Sequence, residues 1–196
     1  MQIQELAARI SDYLETLPQV CSHSFYGSLQ YGNYDQYSDL DIQIDVSGID
    51  NSRFLLELPG LLSKQFSVIF YDYAPSLAPQ KYLVTVAVDS QNPFLYMDFA
   101  CIATPHFETV SRQDLQKQNN PYDHMLKLFV ANLKHWLRGA DCRADIEKLY
   151  LKVFPSDQMP DSESVCLQNV YFWLRNHALP KYLPYLDSCY RMSGWE

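Results

Sequence analysis

Two acidic residues at a spacing of two stand out first: Asp39 and Asp41, in Ser38-Asp39-Leu40-Asp41. The following run, Ile42-Gln43-Ile44-Asp45-Val46, alternates apolar and polar residues. That alternation predicts a β-strand over 39–46. In a strand, residues i and i+2 share a face. Asp39 and Asp41 therefore emerge side by side, and Leu40, Ile42, Ile44 and Val46 point into a core. Two carboxylates on one face repel unless a cation sits between them. Mg²⁺ suits the place, because it takes hard oxygen ligands and often shares them with substrate phosphates. Upstream lies Gly27-Ser28. A glycine lets a phosphate approach the backbone closely, and a serine hydroxyl can donate a hydrogen bond to it.

The elements that must position these residues can be read from pattern. Ile3, Leu6, Ala7, Ile10 and Leu14 recur at helical spacing, and Pro18 ends that segment. Residues 20–26 predict a first strand that delivers Gly27-Ser28 to its end. A polar, tyrosine-rich loop over 29–38 joins it to the strand at 39–46. Asp50-Asn51-Ser52 signals a helix N-cap, and the helix over 54–65 is expected to break or shorten at Pro59-Gly60. Strands follow at 66–73, 82–88 and 94–102, with a loop through Pro75 and Pro79 and a turn at 89–93. The last two strands read as an antiparallel hairpin. Beyond Pro105 the pattern turns helical. Met125, Leu126, Phe129, Val130, Leu133 and Leu137 mark a helix that Pro121 opens and Gly139 ends. Asp141 is placed to cap a further helix to about 154, and two more are expected within 165–190. The fold class is α+β: a small mixed-sheet head with flanking helices, domain 1–105, and a helical C-terminal region, 106–196.

Gly27-Ser28, then Gly32, then Ser38-Asp39-x-Asp41 resembles the nucleotidyltransferase superfamily typified by DNA polymerase β. The spacing is most similar to the small bacterial adenylyltransferases that modify aminoglycosides and related antibiotics. Tyr31 stands where many minimal members carry an arginine, although the antibiotic-modifying members often lack it. The resemblance covers roughly residues 20–105. It implies a third carboxylate on the strand beside the Asp-x-Asp pair, and Asp98, in Tyr96-Met97-Asp98-Phe99-Ala100, matches that position. An acid inside an apolar strand is costly unless paired or coordinated, which agrees; the bland alternative is a carboxylate bonded at a strand edge. Asp45 shares the face of Asp39 and Asp41 and reads as a solvated or salt-bridged residue.

The resemblance further implies nucleotidyl transfer. Asp39, Asp41 and Asp98 would be the catalytic and metal-binding residues for two Mg²⁺ ions, with an NTP, ATP foremost, as co-substrate. Asp98 would serve as general base or as ligand to the second ion. Gly27, Ser28 and Ser38 would hold phosphates. Lys127, Lys134 and Arg138 form one stripe on the 122–138 helix. Lys134 is the candidate for the triphosphate, against the ordinary reading of a solvated helix face.

Composition narrows the partners. The net charge of −8, with 15 basic residues, argues against nucleic acid as a partner, which needs Lys and Arg against phosphates. A small hydroxylated acceptor, cationic or neutral, suits an acidic chain. No apolar run reaches the roughly 18 residues of a membrane span. Met1-Gln2-Ile3-Gln4-Glu5 lacks a signal-peptide pattern, so a cytoplasmic protein is expected. The five cysteines are scattered, with no CxxC, and read as reduced, mostly buried thiols. The expected activity is Mg²⁺-dependent transfer of a nucleoside monophosphate to a small-molecule hydroxyl. The alternatives are a protein-modifying enzyme of the toxin–antitoxin type, or a degenerate nucleotide-binding protein.

Overall fold

The computed structural model describes residues 2–74, 81–106 and 108–195. The chain divides into two compact units, Met1–Asn120 and Pro121–Glu196. The first is an α+β unit with five strands in one mixed sheet: β1 (Ser22–Tyr26), β2 (Leu40–Asp45), β3 (Val68–Ala74), β4 (Tyr82–Val88) and β5 (Tyr96–Ile102). Their spatial order is β1-β2-β5-β4-β3. β2 and β5 run parallel, and the other neighbours are antiparallel. The hairpin expected from the last two strands is present as β4–β5. The loop expected through Pro75 and Pro79 lies outside the described residues.

One face of this sheet makes the core. Leu40, Ile42 and Ile44 of β2, Met97, Phe99 and Cys101 of β5, and Val84 and Val86 of β4 are all fully buried in one apolar cluster. Helix α1 (Ile3–Glu15) adds Ile3, Leu6, Ala7, Ile10 and Leu14, the stripe its sequence spacing predicts. Helix α3 (Asn51–Leu62) adds Phe54, Leu55, Leu58 and Leu62. Each Val, Leu, Ile, Phe or Met side chain among them contributes about 1.5–3 kcal/mol when fully buried. Asp50 caps α3, accepting from the Ser52 N–H at 2.9 Å and the Arg53 N–H at 3.2 Å.

Three local features depart from the sequence reading. Residues Gly27–Tyr31 form a short helix, α2, rather than the start of a loop. α3 runs through Pro59 instead of breaking there. Proline takes one N–H from the ladder, but the Pro59 carbonyl still accepts from the Ser63 N–H and, at 2.8 Å, from the Ser63 hydroxyl. A short helix α4 (Arg112–Gln116), capped by Ser111, buries Leu115 in the same core. Just beyond it, the Asn119 amide imitates a strand against β3. Its Oδ1 accepts from the Tyr73 N–H at 2.7 Å, and its Nδ2 donates to the Tyr73 carbonyl at 2.8 Å.

The second unit is helical: α5 (Pro121–Leu137), α6 (Arg143–Val153), α7 (Glu163–His177), a 3-10 turn (Pro180–Tyr182) and α8 (Leu183–Met192). Its interior holds Leu126, Phe129, Val130 and Leu133 of α5 with Ile146, Leu149, Leu167, Val170, Leu174 and Leu186. The buried Asp123 accepts from the Tyr182 hydroxyl at 2.5 Å. Cys142, rather than Asp141, is the N-cap residue of α6. Cys101, Cys142, Cys166 and Cys189 are buried free thiols, and Cys21 is exposed. Among the described residues, no helix is long and apolar enough to cross a membrane.

Candidate active site

The second face of the sheet is built differently. At its centre Asp41 of β2 stands directly opposite Asp98 of β5. The same row continues in both directions: Tyr26 of β1 faces Asp41, Thr85 of β4 faces Asp98, and Asp72 of β3 faces Thr85. One line of polar side chains therefore crosses all five strands. Period-2 geometry puts it on the face away from the core cluster.

Asp98 is fixed from its outer side. The Thr85 hydroxyl donates to Asp98 Oδ1 at 2.5 Å, the short range expected when the acceptor is a carboxylate. Thr85 and Asp72 are each 1% exposed, so this end of the row is buried. At the other end, the Tyr26 phenol is pushed up to about 12, by burial first and then by the charges of Asp41 and Asp98. Lys81 Nζ lies 5.1 Å from the centre of the Tyr26 ring.

Gly27 follows Tyr26 and opens α2. Its φ of 65° is left-handed, a conformation that suits glycine. There is a second reason for glycine: a Cβ placed here would collide with Asp41 Oδ2 and lie 3.1 Å from Asp41 Cγ. The Asp41 carboxylate thus rests against bare backbone at the β1–α2 junction, where Ser28 is half-buried.

The remaining predicted residues sit as follows. Asp39 precedes the first residue of β2 and is half-buried. Ser38 is buried and tied into its own loop: its hydroxyl donates to Asp35 Oδ1 at 2.9 Å and accepts from the Asp35 N–H at 2.9 Å. Asn92 Nδ2 donates to the Gln36 carbonyl at 2.7 Å, linking this loop to the turn before β5. Asp45 is half-buried at the end of β2. It accepts from the Ser47 N–H at 2.8 Å and the Ser47 hydroxyl at 2.6 Å, closing the strand end. Lys134, on α5 of the helical unit, is 2% exposed, so it is not part of a solvated helix face. Lys127 and Arg138 are more open, half-buried and exposed respectively.

The chemistry of the donors fits a hard divalent cation, since the apposed groups at the row's centre are carboxylates. Among the described residues, no group of three or more His, Cys, Asp or Glu side chains is gathered closely enough to hold a metal ion. The apposed pair is therefore Asp41 and Asp98, with Asp39 beside it along the chain rather than closed around a common point. Tyr26, Thr85, Asp72 and Lys81 were not apparent from sequence. Threonine and tyrosine are ordinary strand formers, and only the register brings them into the row.

No protein-family model matches this chain. No curated protein matches it. Among solved structures, a chain from the structure of the GLD-2/RNP-8 complex is similar at a TM-score of 0.40 and 11% identity, over 90% of this chain and 79% of that chain.

Proposed function

We propose that this protein is a Mg²⁺-dependent nucleotidyltransferase that moves a nucleoside monophosphate, AMP from ATP foremost, to a hydroxyl of a small molecule and releases pyrophosphate. The observation that carries the reading is the direct apposition of Asp41 and Asp98 on the parallel strands β2 and β5, with Gly27 backed against the Asp41 carboxylate. Asp39, Asp41 and Asp98 are the residues that would hold the metal, which supplies positive charge against the triphosphate and the acceptor oxygen.

The protein's own groups have separable tasks. Asp98 accepts the acceptor's hydroxyl proton as its oxygen bonds to the α-phosphorus and the bond to the β-phosphate oxygen breaks. Gly27 lets phosphate approach where a side chain would stand in the way, and Ser28 offers a hydroxyl donor beside it. Tyr26 flanks the acid pair with its phenol held protonated, so it can donate a hydrogen bond in that space. The acidic net charge of −8 supports a cationic or neutral acceptor over a polyanion.

The test is pyrophosphate release from each NTP with Mg²⁺, across aminoglycosides, lincosamides and simple polyols, with Asp39→Asn and a chelator alongside. We expect release that requires one acceptor class, stops on chelation and is abolished in a folded Asp39→Asn protein. Undiminished release in that variant overturns the reading.

A further inference from the structure

Asp98 must present a carboxylate oxygen in one direction to act beside Asp41, yet an aspartate in a strand has rotamer freedom. The structure removes that freedom from one side. Thr85 faces Asp98 across the antiparallel β4–β5 pair, and its hydroxyl lies 2.5 Å from Asp98 Oδ1. Thr85 is itself 1% exposed, so solvent does not compete for that bond, and as a β-branched residue it has restricted χ1 freedom.

The direction of the bond follows from inventory. A hydroxyl carries one proton, and Thr85 has a carboxylate residue opposite it on each neighbouring strand, Asp98 on β5 and Asp72 on β3. The short contact assigns the proton to Asp98. One lone pair of Oδ1 is then engaged, which fixes the direction in which the rest of the carboxylate faces a metal ion or an acceptor proton.

We propose that Thr85 is the positioning residue of the site: it orients Asp98 by a single charge-assisted hydrogen bond, and the metal affinity of the acid pair depends on it. The proposal rests on the nucleotidyltransferase reading for its chemistry, but it can be measured without turnover. A partner that orients a metal ligand is typically worth ten- to a hundredfold in affinity or activity.

The probe is Mn²⁺, alone and with ATP, its binding followed by electron paramagnetic resonance on wild type, Thr85→Val, Thr85→Ser and Thr85→Ala, each checked for native circular dichroism. Thr85→Val and Thr85→Ala should weaken Mn²⁺ binding about tenfold or more, and Thr85→Ser, which keeps the donor, should restore it. In an Asp98→Asn background Thr85→Val should cause no further loss, because its effect passes through Asp98. Wild-type affinity in folded Thr85→Val or Thr85→Ala, or an equal loss with Asp98→Asn already in place, overturns the proposal, as does a wild type that binds no Mn²⁺. A wild type that binds Mn²⁺ through Thr85 and Asp98 but releases no pyrophosphate with any acceptor would instead sink the reaction and leave the positioning role standing.

Discussion

The two faces of the one sheet are made by the same strands and obey opposite rules. On β2 the residues Leu40, Ile42 and Ile44 are fully buried among other carbon side chains, and Asp41, Gln43 and Asp45, one step along in each case, are only half-buried. On β5 Met97, Phe99 and Cys101 join the same core, and Asp98 turns away from it toward Asp41. The first face is held by apolar burial, which tolerates exchange among apolar side chains of similar volume and is sensitive to changes in that volume. The polar row of the second is held by register and hydrogen bonds, which are sensitive to a single atom. On the proposed function, stability and reactivity are thus interleaved residue by residue, and substitutions should separate them.

The largest effect expected is on the core face. Phe99→Ala should cost about 3–5 kcal/mol, read from urea denaturation at unchanged slope. Asp41→Asn, one strand position from Ile42, Phe99's neighbour in register, should leave the denaturation midpoint close to wild type and remove Mg²⁺-dependent turnover. A stability loss from Asp41→Asn as large as that of Phe99→Ala would erase the distinction between the faces.

Gly27→Ala sharpens the comparison from the other side, because it joins the two rules at one atom. A left-handed alanine costs about 1–2 kcal/mol, and its methyl would displace the Asp41 carboxylate. Denaturation should show that moderate loss, and pyrophosphate release should fall far more than the lost stability accounts for. A variant with wild-type turnover would mean that the carboxylate can sit elsewhere.

The smallest effect concerns a carboxylate with a purely structural task. Burial alone would raise the Asp50 carboxyl, but hydrogen bonds from Ser52, Thr109 and the Arg53 and Ser52 N–H groups outweigh it and hold it below the usual range. A depressed carboxyl contributes stability above the unfolded value, about pH 4, and that contribution is lost as pH falls through the folded value. Asp50→Ala should cost about 1 kcal/mol at neutral pH, and the gap to wild type should close below about pH 4 in acid titrations of stability. A gap that stayed constant would show that the cap works through shape rather than charge.

Much of the scaffold was legible in the sequence because it rests on periodicity. The α1 stripe, the alternation through Ile42 and Ile44, and the helical tail all follow from side-chain spacing, and the α+β class with them. What could not be read depends on pairing. Nothing in Leu83-Val84-Thr85-Val86 distinguishes Thr85 from any strand threonine; its role appears only when register sets it against Asp98. The short helix at Gly27–Tyr31 is too brief to show a period. Pro59 reads as a breaker because the sequence does not display the Ser63 bonds to its carbonyl. Lys134 reads as surface because its helix carries it in register with Lys127 and Arg138, yet it is buried. Counting could set Asp41 opposite the core residues of its own strand, whereas Asp39 precedes β2. The relation of Asp41 to Asp98 could not be counted, because it needs the strand order.

The parallel pairing of β2 with β5 also has a temporal side. Parallel neighbours need a crossover, and here α3, β3 and β4 all lie in the chain between Asp41 and Asp98. As the polypeptide leaves the ribosome, Gly27, Asp39 and Asp41 emerge first and wait through that whole stretch for their counterpart. No early fragment carries the apposed acids, so a nascent or truncated chain cannot sequester divalent ions through that pair. During synthesis, assembly of the carboxylate row therefore marks completion of the sheet.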